Sequence, residues 1–327
     1  MPQPRRRKDS GLVAVAWALN GLAVGALLVI LAIYFARQQD EAAPVAPLLA
    51  KAGPRPTLTP APTSFYLPTI TPNPHGTAVE DYATPTPFVL ADGPAPGVIG
   101  YSVQRREINV YSFGQGEIHY LIVAGIHGGY EGNTVDLANQ FLVYIIKHPE
   151  AVPSGSTLYV IPDMNPDAVA RGRNASARVN ANGVDLNRNF PSLNWVTDWD
   201  HSNCWNERPT TGGPSAGSEP ETRAVINFIR PRHIQALISY HSAALGVFPG
   251  GDPWQPASEK LARLLSGVTG YPYPPIDIGC TYTGTLADWA VQNGVAAAVD
   301  MELSTHEGSD FAKNLRALQV LLNFSGD

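Results

Sequence analysis

Residues 118–131 read IHYLIVAGIHGGYE. An unbroken apolar run of strand length ends in glycine, and a histidine and a glutamate follow within seven residues. Such a run reads as a strand buried on both faces. Residues 134–146 follow with helical spacing (Val135, Leu137, Ala138, Phe141, Leu142, Ile145, Ile146). A second apolar run, TLYVI at 157–161, ends at Pro162. The alternation continues, with helical patterns at 221–229, 259–266, 286–292 and 310–324 and strand patterns at 234–240 and 296–301. Strands alternating with helices predict an α/β fold with a mixed, mostly parallel sheet and helices on both faces. In such sheets, reacting side chains collect where the strands end. The polar residues at those places are His127, Asp163, His241 and Glu302.

Outside this region the composition changes. Residues 11–36 carry no charged side chain, and Arg5, Arg6, Arg7 and Lys8 precede them. A run of that length exceeds the roughly 20 residues that span a bilayer and the h-region of a cleaved signal peptide. It reads as a transmembrane helix. The basic residues place tail 1–10 in the cytoplasm and the remainder of a single-pass protein outside the cell membrane. Residues 37–97 read as a linker: 13 of the 30 prolines fall between 41 and 97. Proline fixes φ and removes a donor, so a disordered, extended Pro/Thr-rich spacer is expected. Residues 98–327 form the expected globular domain. They hold 15 of the 22 basic and 22 of the 28 acidic residues. Without a basic face, a nucleic-acid partner is excluded. Two cysteines, Cys204 and Cys280, are too few for a disulfide scaffold.

Two histidines and a carboxylate, His127, Glu131 and His241, have the composition of a catalytic zinc site with one position open to water. Taken alone, each histidine has a structural reading, and Glu131 could be a first-turn acid of the helix it precedes. Glu302 at a strand end is a candidate general base, or equally a salt-bridge partner. His306 nearby receives no role. The segment 178–191, RVNANGVDLNRNFP, reads as a structured loop. Its arginines Arg178 and Arg188 suit a carboxylate or an oxyanion.

Four blocks in order, GIHGGYE at 125–131, GVDLNRNF at 183–190, SYHS at 239–242 and DMEL at 300–303, resemble the M14 family of zinc carboxypeptidases. The resemblance implies one zinc per chain held by His127, Glu131 and His241, with Glu302 as general base. It further implies Arg178 as the group that polarises the carbonyl, and Asn187 and Arg188 as the pair that grips a substrate carboxylate. Asp185 would support a ligand histidine, and Tyr282 would be a mobile tyrosine closing over substrate. One departure stands out: three residues separate His127 from Glu131 where the family has two. A glycine pair can absorb the extra residue. Arg178 is preferred to Arg173 by its distance from the DLNR block.

The implied activity is zinc-dependent hydrolysis of an amide bond beside a carboxylate, in a peptide or a cell-wall peptide. Alternatives are a murein tripeptide amidase cutting γ-D-glutamyl–diaminopimelate bonds, an N-acyl amino acid deacylase, and an inactive wall-peptide-binding module that has kept the fold. A disulfide between Cys204 and Cys280 is expected outside the cytoplasm. The oligomeric state is not legible in the sequence.

Overall fold

A computed structural model describes residues 93–199 and 210–326. The span 11–36, almost all of the linker, and Cys204 lie outside the described residues. Seven strands form one sheet: β1 (Gly97–Tyr101), β2 (Glu107–Gly114), β3 (Ile118–Val123), β4 (Ser156–Ile161), β5 (Ile234–Ser242), β6 (Val247–Pro249) and β7 (Ala298–Leu303). Their order across the sheet is β1-β2-β4-β3-β5-β7-β6. The helices are α1 (Gly132–Lys147), α2 (Pro166–Val169), α3 (Pro220–Ile229), α4 (Pro256–Thr269), α5 (Leu286–Gln292) and α6 (Phe311–Leu322).

The sheet is mixed, as expected, and its parallel part is the centre. β4, β3, β5 and β7 run parallel. β1 and β2 on one side and β6 on the other add antiparallel pairs. The fold is therefore a mixed α/β sheet with antiparallel margins rather than a mostly parallel one. The physical reason lies in the connections. βαβ crossovers impose parallel pairing, whereas β1 and β2 adjoin through a short turn and β6 through the loop after β5. These three strands carry no long apolar run that marks them in the sequence. β1 begins at Gly97, inside the stretch read as linker.

Both faces of the central strands are apolar, which explains the unbroken runs. Side chains alternate across the sheet. On one face Ile122, Leu158, Ile238 and Val299 pack with Leu137 and Phe141 of α1, Leu261 of α4 and Leu318 of α6. On the other, Leu121, Val123, Ile161 and Leu237 pack with Val225 and Ile229 of α3 and Leu286 and Trp289 of α5. This double core holds the carboxyl edge of the parallel strands rigid, and the polar loops gather there.

Candidate active site

His127 sits in the loop after β3, and Glu131 is the cap residue that opens α1. Gly128 makes the turn between them, with φ +45° and an amide that donates to Gly125 O at 3.0 Å. The glycine pair does absorb the extra residue. A Cβ at Gly128 would stand 2.1 Å from Ala168 Cβ, and one at Gly129 would stand 2.3 Å from Gly172 O. His241 and Glu302 lie within the last turns of pairing of β5 and β7, directly opposite each other in register, rather than beyond the strands. Asp163, at the end of β4, is not in the site. Its carboxyl is pushed up to about 7 by burial.

One carboxylate and two imidazoles converge. His127 Nδ1 lies 2.7 Å from Glu131 Oε1, His241 Nδ1 lies 3.1 Å from Glu131 Oε2, and the two Nδ1 atoms are 3.3 Å apart. The far nitrogens are spoken for. His127 Nε2 lies 3.0 Å from Asp185 Oδ1. His241 Nε2 lies 3.0 Å from Ser239 Oγ, with Asp300 Oδ1 at 3.7 Å behind it. Donating the Nε2 proton outward leaves both Nδ1 lone pairs facing each other beside a carboxylate. That arrangement suits a cation between them. Tetrahedral zinc with Zn–N distances of about 2.0–2.1 Å needs donor nitrogens about 3.3 Å apart, which is the separation observed. The donor set therefore fits zinc, and the carboxylate behind His127 is the partner that orients such ligands. Among the described residues, this is the one cluster of three such ligands within 4.8 Å of one another.

The electrostatics agree. Burial opposes ionisation of Glu131, yet His127 and His241 hold its carboxyl well below the usual range. Burial likewise opposes the charge on His241, but Glu131 and Asp300 push it up to about 10. Without a metal, a proton takes the place of the cation.

Asp185 organises the loop 178–191. It caps the 3-10 turn Leu186–Arg188 by accepting from Asn187 N at 3.1 Å, accepts from Arg178 Nε at 3.0 Å, and meets His127 through the contact given above. Arg178 is thereby fixed at the cavity wall, with NH1 3.6 Å from Glu131 Oε1. Arg173 instead pairs with Asp136 on the exposed surface, so Arg178 is the arginine at the site.

Asn187 and Arg188, the pair expected to grip a carboxylate, are held differently. Asn187 Oδ1 accepts from Leu286 N at 2.8 Å, and its Nδ2 donates to Asp300 Oδ2 at 3.1 Å. Most of its amide is committed to protein. Arg188 is buried between two aromatic faces, 4.2 Å over Trp199 and 5.0 Å over Tyr282. Its NH1 donates to Asn187 O at 2.7 Å, while Nε has no partner. No carboxylate among the described residues forms an ion pair with it. A buried, unpaired guanidinium is a receptor for an anion. Tyr282 lies edge-on to Phe248, 5.4 Å between centroids, and its hydroxyl is buried without a partner. The expected tyrosine is therefore at the site.

Glu302 Oε2 accepts from Leu245 N at 2.8 Å. Burial first, and then the neighbouring Glu131, push its carboxyl up to about 7. The ligand cluster, Arg178, Asn187, Arg188, Tyr282 and Glu302 line one cavity of about 1070 Å³, together with Asn194, Trp254 and His306. Cys280 also lines it and is disulfide-bonded. Asp300, Ser239 and Trp199 have no role in the sequence reading. Asp300 had a signal: it stands two residues before Glu302, so strand alternation puts both on one face.

Residues 96–318 match the zinc carboxypeptidase family, and the chain belongs to it. Murein peptide amidase A of Escherichia coli is 34% identical over 126 residues, which are 37% of this chain and 48% of that protein. The carboxypeptidase N catalytic chain of Mus musculus is 40% identical over 98 residues, 27% of this chain and 21% of that protein. The chain thus spans about half or less of the length of these curated relatives. Among solved structures, the murein-tripeptide amidase of Escherichia coli shares the fold with a TM-score of 0.55 at 24% identity, covering 72% of this chain and 94% of that one. Bovine thrombin-activatable fibrinolysis inhibitor shares it with a TM-score of 0.57 at 20% identity, covering 71% and 90%.

Proposed function

We propose that the chain is a zinc-dependent hydrolase that cuts an amide bond next to a substrate carboxylate. The observation that carries this reading is the unpaired, buried Arg188 in the same cavity as the His127–Glu131–His241 cluster. A bound zinc supplies Lewis acidity and lowers the pKa of water toward about 7. Arg188 binds the carboxylate and sets the scissile bond at the ligands. Glu302 takes a proton from the attacking water and delivers it to the leaving nitrogen. Its raised pKa near neutrality suits both steps. Arg178, held by Asp185, donates to the carbonyl oxygen as negative charge develops there. Tyr282 and Trp199 flank Arg188 and keep its charge poorly hydrated, which strengthens the grip on an anion.

The substrate is a peptide or a cell-wall peptide. The likeness to murein peptide amidase A favours the second. An inactive binding module would tolerate a broken site, whereas the intact ligand cluster His127–Glu131–His241 favours the enzyme reading. We further propose that residues 11–36 anchor the domain outside the membrane, that 37–97 space it away, and that Cys204 pairs with Cys280. Membrane fractionation of the intact chain, with soluble recovery contradicting the anchor, and alkylation mass spectrometry before and after reduction test these points.

The mechanism is tested by Glu302→Gln. It should retain about one zinc per chain by metal analysis and lose at least about 100-fold in kcat. Near-normal hydrolysis by that variant would sink the mechanism.

A further inference from the structure

His306, on the loop after β7, lines the cavity but takes no part in the mechanism above. A sequence of hydrogen bonds settles which proton its ring carries. Asn133 Nδ2 donates to Thr305 O at 2.7 Å and to Gly308 O at 2.9 Å, so the amide orientation is fixed and Oδ1 must accept. Ser242 Oγ donates to that Oδ1 at 3.0 Å. A serine hydroxyl has one hydrogen. Ser242 Oγ, 3.0 Å from His306 Nδ1, can then only accept from that nitrogen. The neutral ring therefore carries its proton on Nδ1 and presents Nε2 as a lone-pair acceptor. Nε2 has no partner among the described residues. The ring is steadied by Tyr130, 4.8 Å between centroids.

Its position along the cavity follows from its neighbours. Ser242 and Tyr130 adjoin the ligands His241 and Glu131 in sequence. Arg188 is reached through Asn187, which sits with Asp300 at the Nε2 side of His241. Arg188 and His306 thus meet the ligand cluster through different neighbours, Arg188 through Asn187 and His306 through Ser242 and Tyr130. On the hydrolase reading, a substrate with its carboxylate on Arg188 would leave its acyl part free to reach His306 in the same cavity.

We propose that His306 Nε2 accepts a hydrogen bond from an N–H group of the residue on the acyl side of the bond cut. This makes His306 a determinant of acyl-side specificity, and the inference rests on the hydrolase reading above. The subsite prefers acyl groups that carry an N–H near the carbonyl, such as an N-acylated aminoacyl group. It disfavours acyl groups with CH2 or oxygen at that place. A purely structural role, tying the loop to β5 through Ser242, would not distinguish such substrates.

The test compares an N-benzoylglycyl amino acid with its isostere in which the glycyl N–H is replaced by CH2, at mildly alkaline pH, on the zinc-loaded protein. Wild type should favour the N–H substrate about tenfold in kcat/KM, the size of one net hydrogen bond. His306→Phe keeps a ring against Tyr130 and should erase the preference. Retention of the preference by His306→Phe, or an equal loss on both substrates, overturns the proposal. Equal rates on both substrates with wild type overturn it without any variant. Cleavage of neither by wild type overturns this proposal for acylaminoacyl substrates, and cleavage of a cell-wall peptide by the same sample then shows whether the hydrolase reading falls with it.

Discussion

Glu302 illustrates how function and stability compete at a single residue. Its carboxyl is held at about 7 against an ordinary 4.5, chiefly by burial. A carboxyl whose folded pKa is raised stabilises the fold only while protonated. The folded state therefore loses stability as pH rises from about 4.5 to 7, and the loss is complete above that window. Bound zinc offsets this, because a nearby dication favours the carboxylate. In the metal-free protein, Glu302→Gln should raise Tm at pH 8, by the equivalent of about 1–3 kcal/mol after allowing for partial exposure. At pH 4 the two proteins should melt together. Thermal denaturation at both pH values checks this; an equal Tm at pH 8 would contradict the raised pKa. At this scale the sequence was informative for the groups that carry the chemistry. His127, Glu131, His241, Glu302, Arg178 and Arg188 all reach one cavity. It was uninformative for Ser239 and His306, whose meaning depends on which atom of a neighbour they touch.

At the scale of elements, legibility followed hydrophobicity. The strands read from apolar runs, β3, β4, β5 and β7, are the four central ones. β7 lies two residues later than the apolar run suggests, so that it includes Glu302. The helices with clear periodicity were found at about their observed bounds. β1, β2 and β6 were missed because margin strands need less apolar sequence and owe their pairing to neighbours. The turn from β3 into α1 was legible in part. The glycine pair signalled a tight passage, but the partner it makes room for, Ala168 of α2, could not be read. A side chain at Gly128 meets both that contact and an unfavourable φ. Gly128→Ala should cost about 1–3 kcal/mol of stability and weaken zinc binding by displacing His127 from Glu131. Denaturant unfolding and zinc titration read the two effects. Wild-type stability together with wild-type zinc affinity would show that the turn does not position the ligands.

At the scale of the whole molecule, the chemistry is confined to one stretch of the chain. The family match and every group of the site fall between residues 96 and 318. The first strand starts where the proline-rich stretch ends. Within the domain, one cavity holds the ligand cluster, His306, and Arg188, which has no carboxylate partner among the described residues. The central claim is that Arg188 receives a carboxylate adjoining the bond that is cut. A matched pair of peptides, one with a free C-terminal carboxylate and one with that group amidated, tests it most directly. Each is incubated with the zinc-loaded protein, and the products are weighed by mass spectrometry. The account predicts release of the terminal residue from the free acid and at least about 100-fold slower cleavage of the amide. Equal cleavage of both peptides would contradict it.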